Sequence, residues 1–452
     1  MNPPIVTVYI TNHNYGEYIN QAIQSVLDQS FQDFELIVID DGSTDDSRLR
    51  IKKFENKEKI KVIYQNKRGL TISNNIALNQ ARGEYIIRLD ADDYLDKNAL
   101  KILLNEFDTE EIGMVFGDWY VINRAGEVIS IEKRHNFTKD VSMYDQPAHG
   151  ACTMFRTKYL REIGGYDESI TRQDGYELWF RLIERYEIRN INVPVFYYRK
   201  HGNSLTDKSE QLLETRSEIL KKIFKRKNIV LPKIVAIFPV RGEKLDNRSK
   251  PFMKLKKSYL IDISINNFLE VEGIDLIIVS SPDKKVLDYI SKNYNSDKVL
   301  PLKRPLDISY IGIHIKQTMD LICKEVDLFN NYDAFILHSI EAPFVKKHLI
   351  ESAINIYKIF QVDTVIAVKE DNRFFFKHDG HGMVPLNYSH EIIRNEKEKW
   401  YAAVSNFLLR DKKKYFEAKE MMGNKIGHVI FDKKASLLIE DNLDLKIAKL
   451  IE

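Results

Sequence analysis

Short β-branched runs alternate with amphipathic stretches from residue 5 to residue 107, and this alternation restricts the chain to one class of fold. The runs are IVTVYIT, ELIVID, KVIYQ and EYIIRLD, with YINQAIQSVLDQ, a second helix and ISNNIALNQA between them. Such a βαβ rhythm predicts a mostly parallel, doubly wound α/β sheet. A less regular region follows to about residue 200, with MVFGDWYVIN and INVPVFYYRKH reading as strands and YELWFRLIERY as a helix. One long polar helix is expected over about 207 to 227. The rhythm then restarts at Ile234 with IVAIFPV and continues through DLIIVSS, DAFILHS, DTVIAVKE and GHVIF. Two α/β domains are therefore expected, one over 1–228 including the linker helix and one over 232–452. The length agrees, because 452 residues exceed what one hydrophobic core holds, roughly 250 to 300.

Composition narrows the partners. Lys and Arg number 68 against 66 Asp and Glu, so no strongly basic face for nucleic acid is indicated. Cys152 and Cys323 lie far apart, which argues against a disulfide framework or a thiolate metal site and for a reducing, cytoplasmic setting. The N-terminus leads into a strand without signal-peptide features, and no window approaches the ~20 apolar residues of a membrane span. Membrane contact, if made, is peripheral at the inner face, with the basic stretch Lys221–Lys227 as its candidate against the plainer reading of a solvated helix end.

In open α/β sheets ligands sit at the carboxyl ends of the strands. Two of those ends are acidic here, Asp40-Asp41-Gly42-Ser43 after ELIVID and Asp90-Ala91-Asp92-Asp93 after EYIIRLD. A turn with a helix N-cap explains either one alone, whereas the two together point to chemistry. A nucleotide diphosphate leaves readily when a divalent cation neutralises its oxygens, and Mg²⁺ or Mn²⁺ is typically held by one or two protein carboxylates. Asp90 and Asp92 supply those ligands, and Asp40 suits a pyrimidine N–H or the ribose hydroxyls.

The stretch from VYITNHNYG to IDDGSTDDS, followed by GLTISNNIALNQARGEYIIRLDADD, resembles glycosyltransferase family 2, inverting enzymes of the GT-A nucleotide-diphospho-sugar transferase fold. The resemblance covers about residues 5 to 205. It implies that Thr11, Asp40 and Asp41 surround the base and ribose, that Asn66, Gly69 and Asn74 belong to the intervening segment, and that Asp90 and Asp92 form the DXD element. Inversion also needs a base for the acceptor hydroxyl. After Gly164-Gly165-Tyr166-Asp167-Glu168, the resemblance puts Asp174 of Gln173-Asp174-Gly175-Tyr176-Glu177 in that role, with Gln173 where Glu is commoner. In the closing segment it offers His201 to the metal or the diphosphate and Arg199 to phosphate charge. His149 is a candidate for the acceptor side.

In the second domain the first strand runs into a loop bearing Arg241, Lys244, Arg248 and Lys250, cations that suit a triphosphate. The loop is similar to the opening motif of the cytidylyltransferases that activate nonulosonic and octulosonic acids as CMP-sugars. That resemblance, over about 234 to 452, implies a Rossmann-like nucleotidyltransferase domain with Glu341 of HSIEAPFV and Glu440 of LLIEDN as metal carboxylates. Asp is usual at both positions. The expected protein is thus a glycosyltransferase of hexosyltransferase type for surface-glycan assembly. It would use a nucleotide diphosphate sugar, foremost a UDP-sugar, and a glycan or lipid-linked hydroxyl acceptor. Its second domain would act on CTP and a sugar acid, or serve as a non-catalytic nucleotide-binding or assembly module.

Overall fold

The computed structural model describes residues 3–133, 149–201, 209–294, 297–310, 314–371, 373, 375–378, 380, 382–386, 400–418 and 420–451. The chain divides into two compact units, residues 1–208 with 374–398, and residues 209–373 with 399–452. The helix Ser209–Arg226 falls in the second unit.

The first unit is built on a mixed sheet of nine strands: β1 (Val6–Asn12), β2 (Phe34–Asp41), β3 (Ile60–Gln65), β4 (Tyr85–Asp90), β5 (Tyr94–Leu95), β6 (Ile112–Ile122), β7 (Val128–Glu132), β8 (Thr153–Arg156) and β9 (Glu187–Arg199). Their order is β3-β2-β1-β4-β8-β6-β9-β5, with β7 paired to β6. The first four named run parallel, as the alternation predicts, whereas β8 is antiparallel to both β4 and β6. Only four residues of β8 pair, too few to show a period in the sequence.

Strand parity divides the chemistry between the two faces of this sheet. Val6, Val8 and Ile10 of β1 and Tyr85, Ile87 and Leu89 of β4 join Ile19, Ala22, Ile23 and Val26 of the helix Gly16–Leu27 in one apolar core. Each fully buried aliphatic side chain there contributes roughly 1.5–3 kcal/mol. The alternate residues Thr7, Tyr9 and Thr11 stand in register with Ile86, Arg88 and Asp90, so the opposite face carries polar groups towards its carboxyl end.

The second unit repeats this topology. Its seven-stranded sheet runs Val299–Lys303, Ile274–Ser281, Ile234–Pro239, Ala334–Leu337, Tyr401–Asp411, Thr364–Glu370, Ile426–Ile430. Ranked by chain position the order is 3-2-1-4-6-5-7, the same as β1, β2, β3, β4, β6, β8 and β9 in the first unit, and in both the sixth strand is antiparallel to its neighbours. Tyr401–Asp411 does not stand out in the sequence as a member of the βα series. Apolar cores cover both faces of this sheet. The helix Ser209–Arg226 buries Leu213, Ile223 and Phe224, and Lys221 pairs with Glu351 at 2.8 Å. The apolar residues of the basic stretch 221–227 therefore belong to the protein interior, not to a membrane-facing surface. No helix among the described residues is long and apolar enough to cross a membrane.

Candidate active site

The carboxyl ends of β1, β2 and β4 bring the acidic residues of the first unit together, and each carboxylate has a distinct set of partners. Asp40 is fully buried and accepts from Asn12 Nδ2 at 3.0 Å, Ser43 N at 3.3 Å and Arg48 Nε at 2.7 Å. Asp41 accepts from Gln65 Nε2 at 2.8 Å, Arg68 N at 2.7 Å and Gly69 N at 2.8 Å. It thereby folds the segment holding exposed Asn66 over the strand ends. The reversal between them needs Gly42, whose φ is 69° and whose added Cβ would lie 2.5 Å from Lys67 N. Thr11 is half-buried at the end of β1, in register with Ile39 and Asp90.

After β4 the chain turns tightly, Asp93 N donating to Asp90 O at 3.1 Å, and presents three carboxylates. Asp92 Oδ2 lies 2.9 Å from His201 Nε2. Asp93 is buried and accepts from Arg199 N at 2.9 Å, but its Oδ2 has no hydrogen-bond partner among the described residues. Asp90 Oδ1 lies 3.0 Å from Arg88 Nε without hydrogen-bond geometry. Burial pushes the Asp90 carboxyl up to about 6, with Asp92 and Asp174 adding repulsion against the pull of Arg88. Burial likewise raises Asp93, helped by Asp92 and Asp90.

This donor set fits a divalent cation in one particular way. Two buried carboxylate oxygens lack hydrogen-bond donors, yet no group of three His, Cys, Asp or Glu among the described residues is arranged to enclose a metal. A partial set of this kind suits Mg²⁺ or Mn²⁺, which leave several positions to phosphate oxygens and water.

Asp174 opens the helix Asp174–Leu182 and is buried. Its Oδ2 accepts from Asn74 Nδ2 at 3.0 Å and is ion-paired with Arg88 Nη1. No donor among the described residues engages its Oδ1. Asn74 itself is fully buried on the helix Leu70–Gln80. Arg88 is the residue that sequence reasoning missed. Its signal was a cation inside the apolar run EYIIRLD, two positions before Asp90 and so on the same face of β4.

Arg199 is held by acceptors of the protein itself. Its guanidinium is buried and donates to Asp92 O at 2.9 Å, Asn123 O at 3.3 Å, Arg124 O at 3.0 Å and Gln21 Oε1 at 2.8 Å. These bonds fasten the end of β9 to the turn after β4. His149 packs among Trp119, Phe196 and Tyr198, with ring centroids 5.1–5.4 Å apart.

In the second unit the loop after Ile234–Pro239 is folded around buried Asp246. That carboxylate accepts from Arg241 Nη1 at 3.2 Å, Arg248 N at 3.1 Å and Arg248 Nε at 3.2 Å. Lys250 N donates to Glu341 Oε1 at 3.3 Å, and Ile439 N donates to Glu341 O at 2.8 Å, which brings the neighbouring Glu440 to the same edge. Burial raises the Glu341 carboxyl, against hydrogen bonds from Ser339 and Lys250. Lys244 and Glu440 are exposed. A further residue, Arg304, was not foreseen: it is buried, its guanidinium donates to Thr318 Oγ1 and Val240 O, both at 3.3 Å, and it has no acidic partner among the described residues. Burial lowers its pKa to about 10, with Arg241 adding to the effect.

Residues 7–164 match the profile of the family described as Glycosyl transferase family 2. The chain is 29% identical over 213 residues to chondroitin synthase of Escherichia coli, a match covering 45% of this chain and 30% of that protein. It is 27% identical over 210 residues to hyaluronan synthase of Pasteurella multocida, covering 45% and 21%. An uncharacterized glycosyltransferase of Methanocaldococcus jannaschii is 31% identical over 192 residues, covering 40% of this chain and 66% of that one. A crystal structure of S. aureus TarS 1-349 in complex with UDP is 22% identical, with a TM-score of 0.39 over 48% of this chain and 65% of that one. The chain spans less than a third of the length of either synthase. Residues 7–164, carried on the mixed α/β sheet of the first unit, are therefore a glycosyl transferase family 2 domain.

Proposed function

We propose that the first unit transfers a sugar, with inversion, from a nucleotide diphosphate sugar to a hydroxyl of a glycan or lipid-linked acceptor. A UDP-sugar is the first donor to test. One observation carries this reading: Asp90 at the end of β4 and Asp174 at the start of the helix Asp174–Leu182 meet at Arg88, so the proposed cation ligand and the proposed base lie at the same strand end. Asp90 and Asp92, with His201 beside Asp92, are the residues that would hold Mg²⁺ or Mn²⁺. When bound, the cation supplies neutralisation of the charge that builds on the leaving diphosphate. Thr11, Asp40, Asp41, Asn66 and Gly69 shape the nucleotide side. Asp40 and Asp41 do so largely by ordering the loops around it, since both carboxylates already accept hydrogen bonds from the protein. Asp174 Oδ1 takes the acceptor proton as the acceptor oxygen bonds the anomeric carbon and the carbon–oxygen bond to the diphosphate breaks.

For the second unit we infer a nucleotidyltransferase-like function on CTP and a sugar acid. The repeated 3-2-1-4-6-5-7 strand order supports it, as do the approach of Lys250 and Glu440 to Glu341 and the buried Arg304, next to Arg241 and without an acidic partner among the described residues. A buried guanidinium without a carboxylate favours an anionic ligand. The exposure of Glu440 and Lys244 leaves a nucleotide-binding or assembly module as the second reading.

Titrating the full chain with UDP-, GDP-, dTDP- and CMP-sugars, with and without Mn²⁺, tests the first reading. Cation-dependent binding of at least one donor is expected. Uniform indifference to all of them in a folded protein would sink it.

A further inference from the structure

Among the described charged residues of the first unit, Arg88 is the one whose guanidinium joins the two halves of the proposed reaction. Its side chain is 4% exposed, and it touches Asp90 on its own strand and Asp174 at the start of a helix 86 residues away. Across the sheet it stands in register with Tyr9, whose hydroxyl lies 2.9 Å from that of Tyr166. Beside it is Gly150. A Cβ there would come within 2.9 Å of Arg88 Nη2 and 3.3 Å of Asp174 Oδ1, so the missing side chain leaves room at the one Asp174 oxygen that no donor among the described residues engages. Both partners of Asp174, Arg88 and Asn74, act on Oδ2.

We propose that Arg88 is a positioning residue: by tethering Oδ2 of Asp174 to the strand that bears Asp90, it aims Oδ1 at the acceptor hydroxyl and sets its distance from the donor. This rests on the assignment of Asp174 as the base. The carboxylate is anchored to the chain through Cβ, so two donors that fix Oδ2 also fix the direction of Oδ1. The ion pair is buried and so is held more firmly than a surface pair, whose long side chains remain free to rearrange. Without Arg88 the carboxylate keeps its chemistry and loses its direction.

The test uses the full chain and the nucleotide sugar that the wild type turns over fastest from the panel above, with Mn²⁺, followed as nucleotide release with water as acceptor. Misplacing a reacting group by an ångström costs on the order of 100-fold, so Arg88→Met and Arg88→Lys are each expected to lower kcat by about 10- to 100-fold, with KM for the donor within about threefold. In an Asp174→Asn background, Arg88→Met should add less than about a twofold loss, because a residue that acts through Asp174 has nothing left to position. Titration of UDP into each variant, with thermal unfolding, separates misfolding from misalignment, and Arg88→Lys preserves the buried charge. Full additivity of the two losses overturns the proposal, as does undiminished turnover by Arg88→Met. Wild-type turnover by Asp174→Asn alone instead overturns the assignment of the base and this inference with it, and that outcome is visible before any Arg88 variant is made.

Discussion

His201 Nε2 lies 2.9 Å from Asp92 Oδ2, so the end of β9 is joined to the acidic turn after β4 by a contact between two proposed cation ligands. The two side chains are 5% and 11% exposed, which places the pair inside the site instead of on its rim. A cation arriving here meets a carboxylate already oriented by an imidazole, an arrangement known to tune metal ligands. Asp92→Ala is expected to abolish transfer and to remove the Mn²⁺ dependence of UDP binding, measured by calorimetry with and without the ion. Persistent metal-dependent turnover would move the cation site elsewhere.

For Asp174→Asn, nucleotide-sugar binding should stay near wild type while transfer falls by roughly 10²- to 10⁴-fold, the usual contribution of a positioned base. The amide keeps the shape and the bond from Asn74 is exchanged for a weaker one, but it takes no proton. Steady-state kinetics checks this, and retained activity would turn attention to Glu168 and Glu177.

Asp90 gives a pH dependence whose sign is fixed by its environment. Its folded carboxyl is raised to about 6 by burial, above the unfolded value, so its neutral form is the one the metal-free fold favours. The associated stability is fully present below about pH 4 and is lost as pH rises to 6, a change of about 2–3 kcal/mol at most. Urea unfolding of the metal-free protein at pH 4.5 and 7 should show this loss, and Asp90→Asn should show less of it. An identical slope in both proteins would contradict the burial argument.

Arg199→Ala tests the framework role of that arginine. Removing it leaves the Asp92, Asn123 and Arg124 carbonyls and Gln21 Oε1 without their donor. Loss of several charge-assisted bonds from a buried site should cost about 3 kcal/mol or more. A lowered urea midpoint is the expected result, and an unchanged midpoint with weakened UDP binding would return Arg199 to the phosphate role that its sequence position suggests.

In the second unit, the full chain should release pyrophosphate from CTP with Mg²⁺ and a nonulosonic or octulosonic acid. Lys250→Ala should suppress that release by removing a cation from the phosphate side, while sugar transfer by the first unit continues. CTP binding without pyrophosphate release would favour the module reading, and absence of CTP binding would favour assembly.

The sequence by itself determined the α/β class, the restart near Ile234 and the places where carboxylates cluster, because these are local: period-two and period-3.6 patterns and acidic turns are written in consecutive residues. The first four strands of β1–β4 and their parallel order follow from that record. Only tertiary structure decided that β8 and Tyr401–Asp411 enter each sheet antiparallel between older neighbours, since strand pairing joins residues far apart in the chain and leaves no period in either partner. It also decided which charges meet. Asp174 and Arg88 are 86 residues apart, and Asp174 and Asn74 are 100 apart. The position of Arg199 in the chain suggests a phosphate ligand, and only the fold brings the four backbone and side-chain oxygens to which its guanidinium donates.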